Sequence, residues 1–248
     1  MTDGAGTTGG SGTTGGGGTT GASGTSDLPA RDLVDVRLAA AIELGGCAIC
    51  AVRARSERAT LDAIIAERVL DIGFREGLER QHGFCRRHSA ELLEANREAS
   101  GILGSSMLFG AIVERRLATL REALRVRGRA RRQRLTAATQ RAPCIACSQG
   151  ASAVEIALAR LVERSADPVW AAAMLEIPFC LDDFTGLLVA AGDKPSFAPI
   201  AEHHLDRIDA LTGRLAGYAD HSAQDRRHLL TDEERSAADE AARLLAGD

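Results

Sequence analysis

Cys47-Ala48-Ile49-Cys50 opens a pattern that this chain uses twice. After a helical stretch comes Gly83-Phe84-Cys85-Arg86-Arg87-His88. The second copy is Cys144-Ile145-Ala146-Cys147, followed by Pro178-Phe179-Cys180-Leu181-Asp182-Asp183. Each copy joins a Cys-x-x-Cys to a later Cys-x-x-His or Cys-x-x-Asp with Phe just before its cysteine. The step from Cys47 to Cys85 is 38 residues and that from Cys144 to Cys180 is 36, so spacing is kept although residue identity is not. All 6 cysteines fall inside the motifs, which leaves none for any other role.

Working outward, the segments between the motifs read as helices. Apolar residues recur at three and four, as in Leu61, Ile64, Ile65, Val69 and Ile72, and in Phe109, Ile112, Val113, Leu117, Leu120 and Leu124. No segment alternates as a strand does, and aromatics are only 3 %, which disfavours sheet. The predicted class is all-α: duplicated helical units, each closed by a metal site of three cysteines plus His or Asp, followed by C-terminal helices. Leu33, Val36, Ala40 and Leu44 mark a first helix. Leu205, Ile208, Leu211, Leu215 and Tyr218 mark a long late one. Thr231-Asp232-Glu233-Glu234 reads as a capping box opening the last helix.

Residues 1–26 are nearly all Gly, Thr, Ser and Ala and have nothing to bury, so they are expected to be a disordered tail. The first metal-binding repeat is then 27–127, the second 143–192, and the C-terminal helices 193–248. Residues 128–142 form an Arg-rich linker. Its arginines could contact nucleic acid, but no aromatics interleave to stack on bases, so a solvated linker is the expected reading.

A net charge of −4 gives no basic field for nucleic acid or anionic lipid. Neither a charge-free apolar run near membrane-spanning length nor an export signal is evident, so a cytoplasmic protein without membrane contact is expected. In that setting Cys-x-x-Cys pairs point to metal or redox chemistry rather than disulfides.

The expected metal ligands are Cys47, Cys50, Cys85, His88, Cys144, Cys147, Cys180 and Asp183. Zinc prefers four thiolate or imidazole ligands in a tetrahedron, and Cys47, Cys50, Cys85 and His88 make one complete closed set. In the second copy Asp183 stands where His88 stands, and carboxylate is a harder ligand; Asp182, His203 and His204 are possible substitutes. Sequence leaves open whether the Cys-x-x-Cys pairs close sites within a copy or exchange between copies. An iron–sulfur cluster is the alternative cofactor. Thiol–disulfide chemistry lacks its βαβ setting, and no acid–base constellation marks catalytic zinc. The remaining histidines read as solvated, with His82 a neighbour of the second motif.

These motifs resemble a family of uncharacterised bacterial and archaeal proteins, grouped as a domain of unknown function. Its members are similar in an early Cys-x-x-Cys, in a Gly-Phe-Cys-x-x-His, and in a repeat of both. Here these are Cys47/Cys50, Gly83-Phe84-Cys85/His88, and Cys144/Cys147 with Cys180. The long helix ending at Tyr218-Ala219-Asp220-His221, with a short helix after it, is similar too. The resemblance spans Asp32 to the end and departs at Asp183. It implies a duplicated metal-binding architecture, lends no activity and leaves function open. The expected role is a non-enzymatic zinc-binding scaffold or interaction protein with an unidentified protein partner. Iron–sulfur redox chemistry is the first alternative and nucleic-acid binding the second.

Overall fold

The computed structural model describes residues 28–99, 101–140, 142–223 and 225–247; the tail at 1–26 lies outside them. Among these residues there are eleven α-helices and no strand. They are α1 (Leu33–Glu43), α2 (Ala48–Ala63), α3 (Ile72–Arg80), α4 (Arg86–Ala99), α5 (Leu103–Arg125) and α6 (Gly128–Thr139), then α7 (Ile145–Arg164), α8 (Pro168–Glu176), α9 (Leu181–Ala191), α10 (Ala198–His221) and α11 (Asp232–Ala246).

The architecture turns on α2 and α7, which pack along their lengths in opposite directions. Ser56 on α2 donates a hydrogen bond to the Gln149 carbonyl on α7 at 3.2 Å. Ile49, at the start of α2, shares a core with Ala157 far along α7. Leu61, near the end of α2, shares one with Ala146 at the start of α7. An antiparallel pair has its two N-termini at opposite ends, and each N-terminus carries a Cys-x-x-Cys.

Two apolar cores follow, and each draws on both halves of the chain. One holds Leu38 and Ile49 with Leu161, Trp170, Met174 and Phe184. The other holds Leu61, Leu78, Phe84, Leu92 and Leu108 with Cys144 and Ala146. Helix α7 is, among the described residues, the one helix long and apolar enough to cross a membrane by length and composition. It carries Glu155, Arg160, Glu163 and Arg164 and so is not charge-free; its apolar residues supply both cores, and Arg160 and Arg164 pair with α1.

One predicted stripe points the wrong way and another stops short. On α1, Leu33, Val36 and Leu44 are exposed, while Asp35, Leu38 and Ala41 are buried. The reason is electrostatic: Asp35 is drawn inward by Arg164 and Arg160 of α7. Asp32 caps the helix through its carboxylate, accepting from the Val34 and Asp35 amides. On α2 the stripe does not reach Ile72, which is exposed. The helix widens to a π turn over Ile64–Arg68, and Asp71 then starts α3 by accepting from the Phe74 amide.

The capping box of α11 is present, with Thr231 and Glu234 each bonding the other's backbone. Helix α6 covers the expected linker and folds back on α5. Arg131 donates to the Leu124 and Val126 carbonyls, and Arg134 reaches the Glu122 carbonyl. Three arginine contacts therefore close the end of α5.

Candidate metal centres

All eight expected ligands fall into two groups, with ligating atoms within 4.8 Å of one another in each. One group is Cys85, His88, Cys144 and Cys147; the other is Cys47, Cys50, Cys180 and Asp183. The quartet of Cys47, Cys50, Cys85 and His88 is therefore not formed. Each Cys-x-x-Cys meets the later motif of the opposite copy. Antiparallel packing dictates this, because the start of α7 lies beside the end of α2, where α4 also packs.

The local reason for each ligand's position is the same four times. Cys47, Cys144 and Cys180 sit at the N-caps of α2, α7 and α9. Cys85 immediately precedes α4. Each partner three residues on lies one turn into the helix and so on the same side. Free amides at these helix starts favour negative sulfur; the His88 amide lies 3.5 Å from Cys85 Sγ. Phe84 and Phe179, one residue ahead, are buried beside the sulfurs.

In the histidine centre, His88 Nδ1 lies 3.3 Å from Cys85 Sγ, 3.5 Å from Cys144 Sγ and 3.2 Å from Cys147 Sγ. Cys85 and Cys147 are 3.8 Å apart, sulfur to sulfur. In the aspartate centre, Asp183 Oδ2 lies 3.4 Å from Cys47 Sγ, 3.0 Å from Cys50 Sγ and 3.2 Å from Cys180 Sγ. Cys50 and Cys180 are 3.7 Å apart. Ligands at about 2.3 Å for sulfur and about 2.1 Å for nitrogen or oxygen define a tetrahedron with edges of about 3.8 and about 3.6 Å. The sulfur–sulfur distances of 3.8 and 3.7 Å match such an edge, and the His and Asp corners are drawn in. All six cysteines are free rather than joined in disulfides.

Outer partners differ between the centres. His88 Nε2 is buried and faces Glu57 Oε2 at 3.3 Å, with Glu91 at 3.7 Å. Glu57 is itself buried and is held by Arg87 at 2.5 Å. A carboxylate behind a ligating imidazole orients the ring and raises its basicity. Gly150 of α7 leaves the space for it, since a Cβ there would lie 2.6 Å from Glu57 Oε1. In the aspartate centre the outer partner is a cation: Arg53 meets Asp183 Oδ1 at 3.0 Å, leaving Oδ2 to the sulfurs. Gly247, left-handed at the end of α11, closes over this centre. A Cβ on it would stand 2.7 Å from Cys50 Sγ and 3.4 Å from Cys180 Sγ.

Burial pushes the Cys147 thiol up to about 12, with Cys85 and Cys144 adding to the rise. Burial likewise takes Cys180 up to about 12. Cys50 is raised first by burial and then by its hydrogen bond to Asp183. Cys85 is lowered: burial opposes, but the His88 amide and the neighbouring cysteine thiols outweigh it. A divalent cation supplies the charge that clustered thiolates need.

Glu57 is a site residue that sequence reading missed. Its signal was a single acid in the register of Ile49, Leu61 and Ile64, the buried face of α2. His204, expected to be solvated, is buried. Its ring packs edge-on to Phe179, its Nε2 lies 2.9 Å from the Met174 carbonyl, and burial lowers its pKa. Neither His203 nor His204 belongs to a cysteine group, and neither does Asp182. No family model, no curated protein and no solved structure matches this chain.

Proposed function

We propose that the chain is a non-enzymatic, zinc-stabilised helical scaffold with one structural ion in each centre. The observation that carries this reading is the donor spacing. Four ligands lie within 4.8 Å in each group, which suits one tetrahedral ion and leaves little room for an iron–sulfur core. Each set has four protein ligands, so neither keeps the open position that catalytic zinc needs. Without metal the packing of α2 on α7 would still join the copies, but the clustered thiols would lose their tie, so metal binding adds to folding free energy here. An unidentified protein partner and a cytoplasmic setting, where thiols stay reduced, complete the reading.

The test is elemental analysis with a visible spectrum on protein purified without oxygen. Two zinc ions per chain and no colour are expected, with loss of far-ultraviolet helicity on chelation. Iron with sulfide and a brown colour would overturn the reading in favour of redox chemistry.

A further inference from the structure

Helix α5 enters the core only with its first half. Neither apolar core contains an α5 residue beyond Ile112. Past that point α6 lies along one side of α5, over buried Ala123 and half-buried Arg116 and Thr119. The next face around the helix carries Val113, Leu117, Leu120 and Leu124, exposed by 63 %, 43 %, 43 % and 57 %. Their spacing is four, three, four, the seam of a coiled coil. A solvated helix in a chain rich in charge has no reason to keep such a row unless something covers it.

The flanking charges say what fits. With Val113 and Leu120 at one seam position and Leu117 and Leu124 at the other, the row complements itself when reversed. In an antiparallel pair Val113 packs with Leu124 of the other copy and Leu117 with Leu120. Glu114 and Arg121 occupy the same flanking position, one heptad apart. Reversal brings Glu114 of each copy beside Arg121 of the other, twice by symmetry. A parallel pair would part Glu114 from Arg121, because equivalent flanking positions face each other only when the helices run antiparallel. Neither residue makes an ion pair within its own chain among the described residues. We infer that the α5 seam is the two-fold interface between two copies of this chain, docked antiparallel. Four apolar side chains from each copy place it at the small, reversible end of protein interfaces.

The experiment is sedimentation velocity on the metal-loaded full chain from about 1 to about 200 μM. Wild type should pass from 26.1 kDa to twice that mass as concentration rises. L117E/L120E should stay monomeric, with circular dichroism and metal content showing that it is folded. Glu114→Arg and Arg121→Glu should each weaken the dimer by about five- to tenfold through facing like charges. Mixed one to one, these two variants should recover wild-type affinity as a heterodimer, because every facing pair is then opposite in sign. A monomeric wild type at all concentrations would overturn the inference. So would a dimer that survives L117E/L120E, or single charge variants whose mixture gains nothing.

Discussion

Glu57 makes no contact with any sulfur, yet it decides how His88 presents its ring. Glu57 Oε2 lies 3.3 Å from Nε2 with Arg87 behind it, close enough to receive a proton from Nε2 when Nδ1 is the ligand facing the three cysteines. Glu57→Gln keeps the volume and removes the charge. It should release the ion of the histidine centre to a competing chelator about 10- to 100-fold more readily. The aspartate centre should be unchanged, and metal release followed with a chromogenic chelator distinguishes the two ions by stoichiometry. Equal release from wild type and variant would show that the carboxylate plays no part. The eight clustered residues were legible, because thiolate chemistry confines cysteine to few roles and all six fit one motif pattern. Their grouping was not, because spacing along a chain is silent on whether two helices run parallel or opposed.

Among the elements, α1 shows how a buried charge overrides an apolar stripe. Asp35 is fully buried and bonds Arg164, which is also buried and lies 5.8 Å from the Trp170 ring centre. Burial pushes the Asp35 carboxyl up, but Arg164, the Arg31 amide and Arg160 together hold it below the usual aspartate range. A carboxyl lowered by folding stabilises the fold above its unfolded value and loses that contribution as pH falls through the folded one. Removing one partner of such a pair costs about 3–5 kcal/mol, because the other charge is left buried. Asp35→Asn should therefore lower the urea midpoint at neutral pH. The gap between variant and wild type should close below about pH 4. A gap that persists unchanged to pH 2.5 (far into the carboxylic acid range, about one unit below the usual value) would assign the loss to packing instead. Hydrophobic periodicity could not show this face, because Leu33, Val36 and Leu44 are as helically spaced as Asp35, Leu38 and Ala41. Only the partner helix chooses between them. The same holds on α5, where one periodic row splits into Ile112 inside and Val113 to Leu124 outside.

At the level of the whole molecule, two halves related by sequence interlock, because α2 and α7 each serve both cores. A cut between the halves should not separate them. With a site-specific protease sequence placed at Val126-Arg127, in the α5–α6 turn, the nicked chain should elute as one species in native size exclusion. The two fragments should part only in denaturant. Separation in native buffer would mean that the halves fold independently. The paired motifs were readable because their spacing recurs at 38 and 36 residues; the interlocking was not, since either pairing of halves satisfies the same hydrophobic pattern.

The exchanged ligands also set the topology of closure. The histidine centre joins Cys85 to Cys147 across 62 residues, and the aspartate centre joins Cys47 to Asp183 across 136. The shorter ring lies wholly inside the longer one. Doubling a loop costs only about 0.6 kcal/mol more to close, so length alone barely ranks the two. Once the inner ring is shut, however, the span left to the outer one shrinks to little more than half its length. Two ions bound there would act as concentric clasps. Closing the inner clasp first makes the outer one easier to close, so a nascent chain has an inside-out route to its full metal complement.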